Sequence, residues 1–275
     1  MIIHASYSLD KGELPAMLEK TSLILTVPPA SLRQVRRFHL PVAHMAYRIG
    51  GGPHLFRASI PVSIRGGLMV IDNAGFSGGG EPGPFCQEVL RECAARGFTG
   101  ALCDFEGPAV QPLPAIVQTL GEAFQRRGWP LYVTEGYGDC SGRARVLISS
   151  AVSGGSLRQR LQEAVERYGA SRTVLAAERV AEDFYLPSPT GQGIPLTREE
   201  LHRRLEERSP QVYFSSELCA HYFTYMSDRS GAHFVLFDDA PSIRKKLQLA
   251  RQMEIGEAVL AYPQVDDVLE EILAV

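Results

Sequence analysis

Short stretches of Val, Ile and Leu recur along the chain, and segments with helical spacing of apolar residues lie between most of them. Short β-branched apolar runs predict buried strands. The eight predicted strands are Ser22–Val27, Val42–Tyr47, Gly67–Ile71, Gly100–Phe105, Leu131–Thr134, Arg145–Ser149, Thr173–Ala177 and Ala258–Tyr262. The alternation of strands with helix-like segments is typical of βα units arranged around a parallel sheet.

The segments with helical spacing are Pro84–Arg96, Leu113–Arg127, Ser156–Tyr168, Thr197–Arg208 and Ser242–Met253. Thr197 is followed three residues later by Glu200, which is the sequence pattern of a capping box at a helix start. Eight strands in a chain of 275 residues fit one α/β barrel. We therefore predict a (β/α)8 TIM barrel in which residues 1–275 form a single domain.

Residues 179–239 depart from the simple alternation. They contain a Pro-, Gly- and Ser-rich loop at Pro187–Pro195 and two aromatic, β-rich runs at Ala220–Met226 and Ala232–Asp238. The two runs flank a short turn, Ser227–Gly231, and predict an antiparallel β-hairpin. We interpret the interval as a small insertion near the seventh unit of the barrel.

The composition narrows the class of protein. Hydrophobic residues make up 45% of the chain and charged residues 21%, as in ordinary globular proteins. The net charge of −3 argues against nucleic acid as a partner, because phosphate binding usually requires a basic surface. No apolar run reaches the about 20 residues that span a bilayer, and Met1–Asp10 lacks the pattern of a signal peptide. We therefore expect a cytoplasmic protein without a membrane span.

Five cysteines and seven histidines lack the spacing of metal sites, since there is no CxxC, HExxH or HxH pattern. Buried, reduced thiols in a reducing compartment are the expected state of the cysteines. We predict neither a metal ion nor another cofactor.

The segment Gly97–Pro108 carries two acids at the end of a predicted strand. Because a strand has a period of two, Leu102, Asp104 and Glu106 share one face, which points toward the axis of a barrel. Gly107-Pro108 ends the strand, so Glu106 is expected at the C-terminal rim, where barrel enzymes carry catalytic groups. Two carboxylates about 7 Å apart along a strand repel each other, which predicts a raised pKa for one of them and a role as general acid. An acidic strand end that is solvated or paired with an Arg is the alternative.

The sequence Thr99-Gly100-Ala101-Leu102-Cys103-Asp104-Phe105-Glu106 resembles Asp-Gly-x-Asp-x-Asp-x-Glu, the motif that ends the fourth barrel strand of glycoside hydrolase family 18. The glycine and the final Asp-x-Glu match, whereas the first two acids are replaced. The segment is also the fourth predicted strand, as the resemblance requires.

The C-terminal third is similar to the same family. A hairpin around Tyr222–Tyr225, the aromatic-Asp-Asp of Phe237–Asp239, the Ser-Ile-x-x-Lys of Ser242–Lys246 and a last strand at Ile255–Leu260 follow in the order found in its bacterial members. This similarity implies a chitinase-like or spore-cortex-lytic type of TIM barrel.

Two departures from the family concern substrate contacts. Val146–Ala151 lacks the Met-x-Tyr-Asp that ends the sixth strand and contacts the N-acetyl group of the substrate in the family. Tyr262 stands where the family has a Trp that forms the floor of the sugar site. The only tryptophan, Trp129, precedes the fifth strand and is expected in the core.

The resemblance implies substrate-assisted hydrolysis with retention, in which the acetamido oxygen of the substrate is the nucleophile. Glu106 would protonate the leaving glycosidic oxygen and later activate water. Asp104 would hydrogen-bond the acetamido N–H and stabilise the positive intermediate.

Five other residues are candidates for contacting a carbohydrate. Tyr262, Tyr137 and Tyr47 lie near strand ends and are candidate stacking platforms, with packing in the core as the alternative. Asp72 and Glu135 directly follow predicted strands and are candidates for lining the same site, with loop-capping hydrogen bonds as the alternative.

Three hypotheses of function remain open. The first is an active glycosidase on a β-linked N-acetylglucosamine-containing glycan, such as peptidoglycan, spore cortex or a chitin-type oligosaccharide. The second is a pseudo-enzyme that binds glycan or a protein partner without cleavage. The third is a barrel enzyme of unrelated chemistry whose carboxylates bind a divalent cation. Association with spores is an alternative to a free cytoplasmic location, and the sequence does not indicate the oligomeric state.

Overall fold

The computed structural model describes residues 22–58, 64–152, 154–187, 191–228 and 230–274. The Met1–Asp10 segment and residues 188–190 of the predicted loop lie outside the described residues. The strands are β1 (Ser22–Val27), β2 (Val42–Gly50), β3 (His54–Arg57), β4 (Leu68–Asp72), β5 (Gly100–Asp104), β6 (Leu131–Thr134), β7 (Arg145–Ser149), β8 (Thr173–Ala176), β9 (Ala181–Leu186), β10 (Ile194–Pro195), β11 (Tyr213–Ser215), β12 (Ala220–Ser227), β13 (Gly231–Phe237) and β14 (Glu257–Ala261). The helices are α1 (Leu32–Val35), α2 (Pro82–Arg96), α3 (Leu113–Gln125), α4 (Leu157–Tyr168), α5 (Arg198–Arg208), α6 (Ala240–Gln252), α7 (Tyr262–Val265) and α8 (Leu269–Leu273). None of these helices is long and apolar enough to cross a membrane.

Eight parallel strands form a closed barrel in the order β1, β2, β4, β5, β6, β7, β8 and β14, and β14 pairs again with β1. These are the eight strands predicted from the sequence, so the prediction of a (β/α)8 TIM barrel is confirmed. One feature was not predicted. β2 continues to Gly50 and turns back into β3, which pairs with it in the antiparallel direction.

The two faces of the barrel strands enter two different cores. The inner faces contribute a small apolar cluster that fills the barrel: Ile24, Ala43, Leu68, Val70, Leu102, Tyr132, Leu147, Val174 and Val259. The outer faces pack against the helices in a much larger cluster, to which α2 contributes Phe85 and Val89 and α3 contributes Ile116 and Leu120. Successive residues of each barrel strand therefore place their side chains alternately in the inner and the outer core.

Polar side chains close the N-terminal end of the barrel interior. Arg145 and Glu257 are the first residues of β7 and β14, and their side chains form an ion pair. The Tyr132 hydroxyl accepts from Arg145 at 2.9 Å and donates to Glu257 at 3.1 Å. Burial, together with the Glu257 carboxylate, raises the pKa of Tyr132 to about 12.

The segment between β8 and β14 forms a second, antiparallel sheet in the order β10, β9, β13, β12, β11. Its centre is the predicted hairpin, in which Ala220–Ser227 pairs with Gly231–Phe237. Leu201 and Leu205 of α5 cover one face of this sheet. That residues 1–275 form one domain stays a prediction.

A carboxylate inside the second sheet fastens α5 to it. Asp183 is 3% exposed and accepts hydrogen bonds from the Arg204 side chain of α5 at 2.6 Å and from the Tyr225 hydroxyl at 2.9 Å. Its other oxygen lies 2.9 Å from Nδ1 of the buried His233. Three partners around one buried carboxylate satisfy the requirement that a buried charge be paired.

A buried ion pair joins the second sheet to the barrel. Lys246 of α6 is 1% exposed, and its Nζ lies 2.5 Å from the carboxylate of Asp238, which directly follows β13. Nζ also donates to the Glu178 carbonyl at 3.2 Å, just beyond β8. Asp238 accepts further from the Ser242 hydroxyl at 2.7 Å and from the Val180 N–H at 2.9 Å. These contacts therefore join the segment that leaves the barrel after β8 to the segment that leads back to the barrel through α6.

We expect Lys246→Met to lower the free energy of unfolding by about 3–5 kcal/mol, because it leaves the Asp238 carboxylate buried without a counter-charge. Chemical denaturation measures this change. Lys245→Met is the matched control, because Lys245 is exposed on the same helix, and we expect a change within about 0.5 kcal/mol. Adding Asp238→Asn to Lys246→Met should recover part of the loss. An equal effect of the two single lysine variants would contradict the role of the buried pair.

Candidate functional site

A cleft of about 550 Å³ opens at the C-terminal ends of β4 and β5. It is lined by Asp72, Asn73, Ala74, Phe76, Asp104, Glu106, Gly107, Pro108 and Val110. Three of the seven residues proposed for the site from the sequence, Asp72, Asp104 and Glu106, are thus brought together.

Register places the three acids at the cleft. Asp72 and Asp104 are the last residues of β4 and β5 and lie opposite each other in the parallel pairing. They lie on the same inner faces as Val70 and Leu102, one step closer to the C-terminal end. Their side chains therefore lie above the apolar interior, at the mouth of the barrel. Glu106, two residues further, is exposed.

The backbone of Glu106 is held on both sides. Its N–H donates to Oδ1 of Asn73 at 2.9 Å, and its carbonyl accepts from Nδ2 of Asn73 at 2.9 Å. The preceding carbonyl, of Phe105, accepts from the Thr134 hydroxyl at 2.6 Å. The Phe105 ring is buried and makes an edge contact with Tyr137 at 5.5 Å between centroids. These contacts fix the chain that carries the Glu106 side chain beyond the end of the strand.

The carboxylates of Asp104 and Glu106 have no hydrogen-bond or ion-pair partner in the part of the chain that the structure describes. Burial raises the pKa of Asp104, and the carboxylates of Glu106, Asp72 and Glu178 raise it further. The sequence predicted a raised pKa within the acidic pair and favoured Glu106 as the acid. The raised pKa is found at Asp104, the more buried of the two acids, because burial raises it more than the neighbouring carboxylates do.

Asp72 ends β4 and Glu135 follows β6, which lie on the two sides of β5, and the surroundings of the two acids differ. Asp72 lines the cleft, and its Oδ1 also accepts from the Ala74 N–H at 2.9 Å. Glu135 does not line the cleft, because its carboxylate pairs with Arg160 of α4 at 2.6 Å. Arg160 also donates to the Ser149 carbonyl at 3.1 Å, so it ties the ends of β6 and β7 together.

The structure does not bring the three tyrosines to the mouth. Ala261 lies on the inner face of β14, so the next residue, Tyr262, points outward. Tyr262 is 5% exposed in the core between the barrel strands and the helices. Tyr137 is 1% exposed in the same core. Tyr47 is 3% exposed, and its hydroxyl donates to Glu92 of α2 at 2.9 Å. Stacking of a sugar on these three rings at the cleft is therefore corrected to packing in the outer core.

A bulge in β2 is the reason for the position of Tyr47. Up to Met45, which pairs with Val70, β2 keeps a regular register with β4. The register then shifts, so that Tyr47 pairs with the outward Ile71 and Arg48 with the inward Asp72. One extra residue reverses the faces of all residues that follow it.

Sequence reasoning missed two residues at the mouth. Asn73, which clamps the Glu106 backbone, is the only asparagine of the chain and directly follows a strand-end acid. Glu178 follows β8 and lies close enough to Asp104 to raise its pKa. Acids that follow other strands were singled out from the sequence, and the same signal would have found Glu178.

A row of aromatic rings crosses the sheet formed by β9 to β13. Tyr213, Tyr222, Phe234 and Phe184 follow one another across four strands, with successive centroids 5.5, 5.3 and 6.0 Å apart. Tyr213 is 45% exposed at one end of the row, and Phe184 is buried at the other.

Within the described residues, no group of three or more His, Cys, Asp and Glu side chains is arranged to hold a metal ion.

Comparison with solved structures shows which proteins share this fold, whereas no protein-family model matches the sequence. A chitinase from Chromobacterium violaceum ATCC 12472 is similar over 91% of this chain and 97% of its own, with 17% identity and a TM-score of 0.68. A glycoside hydrolase family 18 N-acetylglucosaminidase from Paenibacillus barengoltzii is similar over 92% and 98%, with 15% identity and a TM-score of 0.66. The spore cortex-lytic enzyme SleL of Bacillus megaterium QM B1551 is similar over 87% and 70%, with 14% identity and a TM-score of 0.63. The chain therefore has the fold that the resemblance to glycoside hydrolase family 18 implied.

We expect Asp104→Asn to raise the free energy of unfolding at neutral pH. The pKa of Asp104 in the folded protein lies above its ordinary value, so the folded protein keeps a proton that the unfolded chain loses. Stability therefore falls as the pH rises from about 4, the ordinary pKa of Asp, through the raised pKa, and the full penalty remains above it. Denaturation at a series of pH values should show a flatter profile for the variant. Asp228→Asn, at an exposed turn, is the control and should keep the wild-type profile; an unchanged profile for Asp104→Asn would refute the burial argument.

We expect Asn73→Ala to lower the free energy of unfolding by about 1 kcal/mol, because two partly exposed hydrogen bonds to the Glu106 backbone are lost. Asn73→Asp should lower it further, because a carboxylate then faces the Glu106 carbonyl and adds charge beside three other acids. Thermal and chemical denaturation measure both changes. If Asn73→Asp proves as stable as the wild type, the carboxamide does not hold this backbone as described.

Proposed function

We propose that this protein is a glycoside hydrolase that acts on β-linked N-acetylglucosamine-containing glycans by substrate-assisted hydrolysis with retention. The observation that carries the proposal is the pair of unpartnered carboxylates, Asp104 and Glu106, at the C-terminal rim of the fourth barrel strand. Their spacing matches the Asp-x-Glu of glycoside hydrolase family 18, and solved enzymes with this fold include chitinases and a spore cortex-lytic enzyme.

Glu106 is the general acid and base in this proposal. It is exposed at the cleft on a backbone held by Asn73, so its carboxyl group can approach the glycosidic oxygen of a bound sugar. It donates a proton to that oxygen while the acetamido oxygen of the substrate attacks the anomeric carbon. The glycosidic bond breaks and the leaving sugar departs with the proton. Glu106, now a carboxylate, takes a proton from the water that opens the cyclic intermediate.

Asp104 orients the acetamido group in this proposal. It lies two residues before Glu106 on the same inner face, deeper in the barrel. An oxygen acceptor at that position can hold the acetamido N–H so that its carbonyl oxygen faces the anomeric carbon. The Glu106 carboxylate is one cause of the raised pKa of Asp104, so the charges of the two acids are coupled through space.

A catalytically impaired glycan-binding protein is the second candidate, and two observations favour it. The sixth strand ends in Ser149, followed by Ser150 and Ala151, without the Tyr and Asp that contact the N-acetyl group in the family. Tyr262, in the place of the family's Trp, packs in the outer core and gives the cleft no aromatic floor. Transition-state hydrogen bonds of this kind are each worth about 3 kcal/mol, so their loss favours binding over turnover.

The deciding experiment compares two substrates. The wild-type protein should hydrolyse a β-N-acetylglucosaminide with an activated leaving group and a chito-oligosaccharide. Glu106→Gln should lose about 10²–10⁴-fold in kcat on the oligosaccharide and less on the activated substrate, because a good leaving group needs less protonation. Asp104→Asn should impair both substrates, because the acetamido group must be oriented whichever group departs.

Glu122→Gln, an exposed change on the outer helix α3, is the control and should retain the wild-type rates. Equal rates for the wild type and Glu106→Gln would remove Glu106 from catalysis. Binding of the oligosaccharide by the wild type without any turnover would instead support the glycan-binding candidate.

A further inference from the structure

A second cavity, of about 450 Å³, lies outside the barrel beside the N-terminal end of β2. We call it the basic pocket. It is lined by Leu32, Val35, Arg36, His39, Leu40, Pro41, Val42, His44, Arg65, Gly66 and Gly67. It shares no residue with the cleft at the mouth of the barrel.

Two local features of the backbone give the basic pocket its shape. His39 adopts a left-handed conformation with φ of 52°, which turns the chain from the short helical segment that begins with α1 toward β2. Gly67 has φ of 69°, and a Cβ there would lie 2.2 Å from the Val42 carbonyl oxygen. Glycine is therefore required where the chain entering β4 passes β2.

The charge of the basic pocket is one-sided. Among the residues that the structure describes, Arg36, His39, His44 and Arg65 line it, and no Asp or Glu does. Arg36 and Arg65 form no ion pair within the described ranges, whereas Arg37 of the same turn pairs with Glu270. Two guanidinium groups that form no ion pair with any described residue therefore line one cavity.

His44 adds a polar group that the protein leaves unsatisfied. The residue is 7% exposed, and its Nδ1 is buried without a hydrogen-bond partner among the described residues. Burial lowers the pKa of His44, a shift that the Gly66 carbonyl opposes. A buried polar atom without a partner costs free energy. Because Nδ1 is out of contact with solvent and the lowered pKa keeps the ring neutral, His44 shapes the wall of the basic pocket and adds no charge to it.

We propose that the basic pocket binds the phosphate group of a small molecule. Two guanidinium forks match the geometry and charge of a phosphate dianion better than those of a single carboxylate. The volume is that of small-molecule sites, and Leu32, Val35, Leu40 and Pro41 offer an apolar wall to an organic body attached to the phosphate. The shared chemistry is a tetrahedral phosphate, either free or as a monoester.

Isothermal titration calorimetry with the whole chain tests this proposal, with inorganic phosphate and phenyl phosphate as probes at low ionic strength. We expect both probes to bind, and the monoester more tightly if the apolar wall contributes. Arg36→Gln and Arg65→Gln should each weaken binding about tenfold or more, because each removes a charged hydrogen-bond donor. Arg33→Gln is the matched control, since Arg33 is exposed on α1 and does not line the pocket.

His44→Phe separates a ligand role from a structural one. It keeps an aromatic ring beside Phe98, whose centroid lies 5.7 Å from that of His44, and removes both ring nitrogens. Phosphate affinity should stay close to that of the wild type, because Nδ1 is buried out of reach of a ligand and the ring carries no charge. The melting temperature should fall, because the hydrogen bond to the Gly66 carbonyl is lost.

Three results would overturn the proposal. The first is an absence of binding by either probe at millimolar concentration. The second is an equal loss of affinity in Arg33→Gln and Arg36→Gln, which would indicate attraction by net charge alone. The third is binding of citrate with the affinity of phosphate, which would remove the phosphate specificity. None of these results depends on whether Glu106 is catalytic.

Discussion

Closure of the barrel through β1 is the constraint on which the rest of the structure depends. β1 pairs with β14 on one side and with β2 on the other, so the sheet formed by the eight parallel strands has no free edge. Every side chain of these strands must then face either the narrow interior or the layer of helices. Small apolar residues fill the interior, and a polar residue on the inner face is tolerated only at the two ends of the barrel, as Arg145 and Asp104 illustrate.

This constraint explains why the acids of the site could be predicted from the sequence. Asp72, Asp104 and Glu106 each follow a short apolar run, and the period of two places them on the inner face at the carboxyl end. Strand ends of neighbouring units meet at one rim in a parallel barrel, so acids far apart in the chain are brought together. Local pattern and global fold agree at these positions, and no contact with another segment is needed to predict them.

Tyr47 could not be predicted in the same way, because its position depends on one residue of register. Tyr47 would face the interior if β2 were regular, and the shift after Met45 turns it outward to Glu92. Nothing in the sequence of β2 marks the bulge, which forms where β2 must match β4 and β3 at once. Asn73 was equally hidden, since its role lies in a contact with the backbone of a residue 33 positions away.

The crowding of carboxylates at the mouth has a consequence for the kind of polymer that can enter. Asp72, Glu106 and Glu178 lie close enough to Asp104 to raise its pKa, so four carboxyl groups gather at one rim of a chain whose net charge is only −3. A polymer with a carboxylate on every repeat is repelled there, whereas an uncharged N-acetylated chain meets no such barrier. Under the proposed function, the rim would therefore favour neutral chains over anionic ones, and added salt, which screens the charges, would reduce that preference.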